Sequence, residues 1–153
     1  VTVNIQDNQK EPVKTIPSSL TSKEDLKNMN ITNNRVLTFS SNDEEQQYTI
    51  NNKTFDHNRI DQKVKLGTVE QWRLINNDED EHPFHIHVND FQVITVNGEQ
   101  YDSHGLQDMV LIPGHGEVVI RIPFEDFVGK SVYHCHIMFH EDHGMMGIFE
   151  IVK

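Results

Sequence analysis

The sequence predicts an all-β domain, an antiparallel sandwich or a small barrel, and three observations support this prediction. The chain has 153 residues, which is enough for one domain with a hydrophobic core. About eight short runs of apolar or alternating residues follow one another, and each ends at a turn signal. Helical patterning is limited to one short polar segment near residues 21–28.

The first residues are expected to belong to a different unit. Residues 1–5 alternate like a strand and lead into a polar segment with Pro12 and Pro17, which has the composition of a linker. We therefore predict that residues 1–20 form the end of a preceding domain and its linker. Residues 21–153 are predicted to form the domain that carries the function.

Residues that favour turns bound the strands of this domain. The Asn97-Gly98 pair is a strong hairpin signal, because both residues tolerate positive φ angles. Pro113-Gly114 and Pro123 end two further runs, since proline cannot donate to a strand ladder. In chain order, strands are predicted within residues 35–40, 46–50, 68–75, 84–96, 108–112, 117–122, 131–137 and 147–153.

Charge and composition exclude several classes of function. The formal net charge is -11, with 13 basic against 24 acidic residues, so neither nucleic acid nor an anionic membrane surface is an expected partner. No apolar run approaches the roughly 20 residues that span a membrane. The single cysteine excludes an internal disulfide, which leaves a structural, reactive or metal-binding thiol.

Six of the ten histidines fall in two groups about fifty residues apart. Successive side chains of a strand point to opposite faces, so His85 and His87 are expected to share a face. His134 and His136 are expected to share one in the same way. Cys135 lies between them and points to the other side. The pattern therefore predicts two metal sites, back to back.

The site on the cysteine side would draw on both motifs. His140 follows Cys135 by five residues, Met145 follows by five more, and His82 can arrive from the other group. Two imidazoles, a thiolate and a weak thioether form the ligand set of a blue-copper site, although zinc could also occupy the His and Cys ligands. Gly144 permits the tight turn that brings the methionine back.

Met138 and Met146 are expected to pack or to line the site, and Trp72 is expected in the core. The remaining histidines lack this joint pattern, and we treat them as ordinary surface or core residues: His57, His104, His115 and His143.

The two motifs resemble the copper-binding motifs of the C-terminal domain of multicopper oxidases, a family that includes laccases and cuprous oxidases. The first reads HPFHIH from His82, and the second reads HCHIMFHEDHGM from His134. The resemblance covers about residues 30–153 and includes the DMV segment at residues 108–110. It implies a cupredoxin fold, a Greek-key β-barrel or sandwich, in agreement with the predicted strands.

The resemblance also implies a role for each ligand, with copper as the cofactor. Type 1 copper would be bound by His82, Cys135, His140 and Met145. His85 resembles the type 2 ligand. The type 3 ligands would be His87, His134 and His136.

The implied reaction is the one-electron oxidation of a reducing substrate at type 1 copper, followed by reduction of dioxygen to water at a trinuclear cluster. Phenols, Cu(I), Fe(II) and bilirubin are substrates in the family. His82 and His140 would take up the electrons. Glu141 would deliver protons near the cluster, and Asp78 would hydrogen-bond an imidazole and orient it. The resemblance further implies an extracytoplasmic location.

The sequence departs from the family pattern in one respect. The trinuclear cluster of the family needs twice the four histidines that this chain supplies. The other four histidines are expected from an N-terminal cupredoxin domain. We expect that domain on the same polypeptide, in a three-domain oxidase. The alternative is a two-domain trimeric oxidase, in which the domain belongs to another chain. Alone, the chain is expected to be inactive toward dioxygen.

Three other functions remain open at this stage. One alternative is a single-domain blue-copper electron-transfer protein, although such a protein would not need the four extra histidines. A copper nitrite reductase lacks a histidine directly after the cysteine. A zinc or metal-storage module would bind metal without blue colour.

Overall fold

A computed structural model describes residues 25–103 and 105–153 of the chain. The predicted strand and linker in residues 1–20 lie outside this part. The described residues form eleven strands and one short α-helix, after a 3-10 turn at Leu26–Asn28. The strands are β1 Asn33–Asn42, β2 Gln47–Ile50, β3 Gln62–Lys65, β4 Thr68–Asn76, β5 His82–Ile86, β6 Gln92–Val96, β7 Glu99–Gln100, β8 Met109–Ile112, β9 Glu117–Phe124, β10 Gly129–Cys135 and β11 Met146–Val152, with α1 Met138–Asp142 between the last two.

The strands form two sheets that share one hydrophobic core. The first sheet has the order β2-β1-β4-β9-β6-β7, and the second has the order β3-β11-β10-β5-β8. Aromatic side chains from both sheets meet between them: the ring of Trp72 contacts Tyr133 and Phe149 edge-on. Trp72 is fully buried, as predicted. The prediction of an all-β fold is therefore confirmed.

Two strand pairs contradict the expectation of purely antiparallel sheets. Strand β1 runs parallel to β4, and β3 runs parallel to β11. Parallel neighbours need long crossover connections, and the chain between β1 and β4 is long enough to include both β2 and β3. No apolar run marks β3 or β7, because β3 carries one buried residue and β7 is a two-residue exposed strand, which only the Asn97-Gly98 turn signal implies.

The predicted strand over residues 84–96 is two strands in different sheets. Strand β5 ends at Ile86, and the chain turns at Val88, which has a φ of +73°. The amide of Asn89 donates to the carbonyl oxygen of His87 at 2.9 Å across this turn. At the far end of β6, Asn97-Gly98 closes the predicted hairpin onto β7 with φ angles of +50° and +81°.

Candidate metal centres

The two histidine motifs lie side by side in the second sheet. Strands β5 and β10 are antiparallel neighbours, with His85 opposite His134 and Phe84 opposite Cys135. Residues that face each other across a ladder project from the same side of the sheet. Cys135 and Phe84 therefore point into the core, where both are fully buried, whereas the two histidines project from the other face.

The inward-facing donors form a compact triangle. Sγ of Cys135 lies 3.5 Å from Nδ1 of His82 and 3.7 Å from Nδ1 of His140, and these two nitrogens lie 3.3 Å apart. Metal bonds of about 2.0–2.3 Å to nitrogen and sulfur place neighbouring donors at such separations. This group fits a transition-metal ion that accepts thiolate and imidazole ligands.

The main chain of Met145 is hydrogen-bonded to two inner donors, Cys135 on β10 and His140 on α1. Its carbonyl oxygen accepts a hydrogen bond from the amide of Cys135 at 3.0 Å, and its own amide donates to the carbonyl oxygen of His140 at 2.9 Å. Gly144 has a φ of +107°, which permits the predicted turn. Met145 is fully buried beside the inner donors.

Hydrogen bonding and stacking orient the two inner imidazoles. Oδ2 of Asp78 lies 2.8 Å from Nε2 of His82, which leaves Nδ1 of that ring facing Cys135. The ring of His140 stacks on Tyr48, with centroids 4.6 Å apart and an interplanar angle of 23°. The sequence allowed Asp78 to be anticipated but not Tyr48, which has the pattern of an ordinary apolar strand residue.

Burial separates the two imidazoles that were expected to take up electrons. His82 is fully buried, and its outer nitrogen is covered by Asp78. His140 is partly exposed. Of the two rings, only His140 has an edge at the surface that a reductant could contact directly, and the role of both in electron uptake stays a prediction.

The environment shifts the protonation of the inner donors. Burial raises the pKa of the Cys135 thiol to about 11, opposed by a backbone hydrogen bond from Ile137 and reinforced by the charge of Glu141. Burial and the neighbouring ring of His82 lower the pKa of His140. Without metal at neutral pH, His140 thus has a neutral imidazole and Cys135 a protonated thiol, and a metal ion must displace the thiol proton.

The outward-facing donors form a second group. Donor atoms of His85, His87 and His134 lie within 4.8 Å of one another, and the Nε2 atoms of His87 and His134 are 3.1 Å apart. Burial and the adjacent imidazoles lower the pKa of His87. The ring of His136 lies at the margin of the group, 5.5 Å from His85 and 5.6 Å from His134, and is exposed.

Main-chain and carboxylate acceptors orient the outer imidazoles. Nδ1 of His85 is 2.8 Å from the carbonyl oxygen of Asp108. Nδ1 of His134 is 3.0 Å from the carbonyl oxygen of Cys135 and 3.2 Å from Oε2 of Glu141. In both rings the bonded Nδ1 leaves Nε2 as the atom that can hold a metal. Glu141 also lines a cavity of about 340 Å³ with His136, Met138 and Asp142.

Other side chains singled out in the sequence take no part in either donor group. His57 and His115 lie apart from both groups, and His104 lies outside the described residues. The ring of His143 packs on Phe139 at 4.1 Å, next to the inner group. Met138 is 77% exposed, so it lines the cavity rather than packing in the core.

No helix among the described residues is long and apolar enough to cross a membrane.

Comparison with known proteins identifies the family. The multicopper oxidase family profile matches residues 25–153. A multicopper oxidase of Staphylococcus aureus is 38% identical over 111 residues, which cover 69% of this chain and 25% of the relative. A bilirubin oxidase of Albifimbria verrucaria is 40% identical over 112 residues, which cover 67% of this chain and 19% of the relative.

A solved structure of a laccase from Pediococcus acidilactici superposes with a TM-score of 0.82 at 32% identity, covering 94% of this chain and 32% of the laccase. This overlap confirms the cupredoxin-like fold that the sequence resemblance implied. The chain spans about a quarter or less of the curated relatives described above. Because the profile matches most of the chain and the aligned relatives agree, the chain belongs to the multicopper oxidase family.

Proposed function

We propose that this chain is the C-terminal copper-binding domain of an oxidase that takes electrons from a small reducing substrate and reduces dioxygen to water. The observation that carries this proposal is the back-to-back arrangement around Cys135. Its thiol belongs to the inner donor group, while His134, the adjacent residue, belongs to the outer group. Two metal sites that share one strand in this way are suited to electron transfer between them.

The inner group is proposed as the type 1 copper site. Its ligands would be His82, Cys135, His140 and, as a weaker ligand, Met145. A buried thiolate with two imidazoles is the donor set that favours copper over Mg²⁺ or Ca²⁺, and a thioether adds nothing for zinc. The donor triangle and the burial of Met145 support the assignment.

The outer group is proposed as half of a trinuclear copper site, with His85 as the type 2 ligand. The type 3 ligands would be His87, His134 and the marginal His136. Exposed apolar side chains lie beside the outer group on β8: Met109 is paired with His85 and Leu111 with Pro83, and both are about half exposed. A mixed apolar and imidazole surface of this kind suits contact with another domain. The N-terminal cupredoxin domain of the same or another chain would supply the missing histidines.

Copper bound at both groups would supply one-electron chemistry and the reduction of dioxygen. The chain's own residues connect the two groups and handle protons. The backbone links Cys135 covalently to His134, and the hydrogen bond from Nδ1 of His134 to the Cys135 carbonyl gives a second short path. Glu141 lies beside His134 at the cavity and can hold a proton for dioxygen reduction.

Electrons are proposed to reach the inner group through the partly exposed His140. The substrate would be a phenol or a Cu(I) or Fe(II) ion. The negative charges of three carboxylates, Asp43, Asp78 and Asp80, interact electrostatically with His140. Negative charge at this place would favour a cationic electron-donating substrate. The family resemblance further leads us to propose an extracytoplasmic location, which fractionation of cells producing the intact enzyme would test.

Copper loading tests the proposal. The chain should bind about one copper tightly, turn intensely blue, and accept one electron without sustained oxygen uptake from a phenol or Cu(I). Cys135→Ser should lose the strong visible band and keep its β-rich circular dichroism spectrum. A colourless loaded chain, a band that persists in Cys135→Ser, or sustained oxygen uptake by a demonstrated monomer would each contradict the proposal.

The alternative of a single-domain electron-transfer protein predicts the same colour. It leaves the four outward-facing imidazoles without a purpose, although two of them are held by specific acceptors. Oxygen uptake by the intact enzyme decides between the two functions. Replacement of His87 by Ala in that enzyme should abolish uptake and leave the blue band unchanged, whereas an electron-transfer protein would take up no oxygen even before substitution.

A further inference from the structure

Tyr48 contacts the inner donor group from the opposite sheet. Tyr48 lies on β2, at the edge of the first sheet. The residues it contacts lie on or next to α1, the helix that connects β10 and β11 of the second sheet. Its ring stacks on His140 and meets Phe139 edge-on at 5.5 Å and His143 at 5.9 Å. Only 3% of Tyr48 is exposed.

The supports of the inner donors differ in rigidity. His82 and Cys135 lie on strands of the second sheet and are fully buried. His140 lies on a five-residue helix that contains no buried residue. A single helical turn is weakly stable by itself, because nucleation fixes several dihedral angles for few hydrogen bonds. The orientation of His140 therefore depends on contacts outside its helix.

The hydroxyl of Tyr48 fixes the ring that provides this contact. It donates a hydrogen bond of 2.6 Å to Oδ1 of Asp43, a residue of the turn that joins β1 to β2. The hairpin thus holds Tyr48 at both ends, by its backbone in β2 and by its hydroxyl at the turn. The face of Tyr48 in turn limits rotation of the His140 ring about its side-chain bonds.

We propose that Tyr48 is a positioning residue that holds the His140 imidazole in its metal-binding orientation and thereby sets the reduction potential of the inner copper site. This inference rests on the proposed type 1 assignment. Cu(II) depends on its imidazole donors, whereas Cu(I) is well satisfied by soft sulfur. A loosened His140 therefore penalises Cu(II) more than Cu(I), and the reduction potential should rise.

The test compares copper-loaded Tyr48→Phe and Tyr48→Leu with the unsubstituted chain. Leucine keeps an apolar side chain but removes the stack, and phenylalanine keeps the stack but removes the link to Asp43 without changing charge. The Leu variant should show a higher reduction potential, altered copper hyperfine splitting in electron paramagnetic resonance, and roughly two- to tenfold faster loss of Cu(II) to a chelator. The Phe variant should shift in the same direction by less.

Tyr101→Leu is the matched control, because Tyr101 is 40% exposed. It should leave the potential and the resonance spectrum unchanged. A folded, loaded Tyr48→Leu chain with unchanged potential and spectrum would overturn the inference, even if its melting temperature fell. If the Leu variant does not fold, an unchanged potential in Tyr48→Phe would overturn it instead. An unsubstituted chain that never turns blue would contradict the type 1 assignment, which separates the two failures.

Discussion

Oδ2 of Asp78 lies 2.8 Å from Nε2 of His82, and Nδ1 of the same ring lies 3.5 Å from Sγ of Cys135. One side of the imidazole is thus held by a carboxylate while the other faces the donor group. A carboxylate in this position selects the tautomer with the proton on Nε2 and makes Nδ1 a better metal ligand. The pair explains how a fully buried histidine is kept ready to bind a metal.

Replacing Asp78 by Ala should therefore weaken copper binding by about 10- to 100-fold, since the orienting acceptor is lost. Competition against a chelator of known affinity would measure this. Asp80→Ala is the matched control. The charges of both carboxylates interact electrostatically with His140, but of the two it is Asp78 that is hydrogen-bonded to His82. Equal losses in the two variants would show that general charge, and not the hydrogen bond, determines the affinity.

Copper uptake should release a proton, because burial raises the pKa of Cys135 to about 11. The thiol is protonated below that pKa, and the ligand is the thiolate, so binding must expel the proton. Between pH 7 and 9, affinity should rise by about tenfold per pH unit. The lowered pKa of His140 keeps that imidazole neutral and out of the balance. Calorimetry in two buffers of different ionisation enthalpy should give about one proton per copper, and a value near zero would contradict this account.

Local patterns allowed much of the site to be predicted. Strand alternation is a backbone property, so the opposite orientations of His134 and Cys135 follow from their adjacency alone. Gly144 was also predictable, because a short return from His140 to Met145 requires a sharp turn. The predicted strands before and after the motifs followed from apolar runs in the same way.

Contacts between segments that carry no shared motif could not be predicted. The stacking of Tyr48 on His140 depends on which edge strand of the first sheet comes to lie over α1, and no spacing in the sequence reports that. The parallel pairing of β1 with β4 is likewise set by the crossover of the whole chain. His87 was expected near His134 from the two motifs, but it lies beyond the end of β5 and reaches that place through the turn at Val88, which the sequence did not indicate.

Gly144→Ala should destabilise the chain by about 1–3 kcal/mol, because the residue has a φ of +107°. A Cβ there would also lie 2.9 Å from Cβ of Thr54. The resulting shift should displace Met145 and weaken the blue band, and chemical denaturation and absorption would measure the two effects. Gly98→Ala is the matched control: its φ is +81°, but a Cβ would meet no atom within 4 Å. It should lose stability without any change in copper binding.

Met145→Leu should preserve the blue colour and raise the reduction potential, because a weak donor to Cu(II) is replaced by a hydrocarbon. The two side chains have similar volume, so the buried position should tolerate the change at a cost below about 1.5 kcal/mol. Spectroelectrochemical titration of the loaded chain would measure the shift. A colourless but folded variant would contradict the role of the thioether as a weak ligand.

Glu141→Gln should slow dioxygen reduction in the intact enzyme more than it slows substrate oxidation. The carboxylate lies 3.2 Å from Nδ1 of His134 and lines the cavity beside the outer group, where the proposed dioxygen reduction would consume protons. Glutamine keeps the shape and a hydrogen-bond acceptor for His134, so copper content should be preserved while the proton donor is lost. Stopped-flow traces under air should then show the blue band remaining bleached for longer. Asp142→Asn, which removes the neighbouring carboxylate of the same cavity, should have little effect. Unchanged turnover in Glu141→Gln would mean that this carboxylate acts only as an acceptor that orients His134.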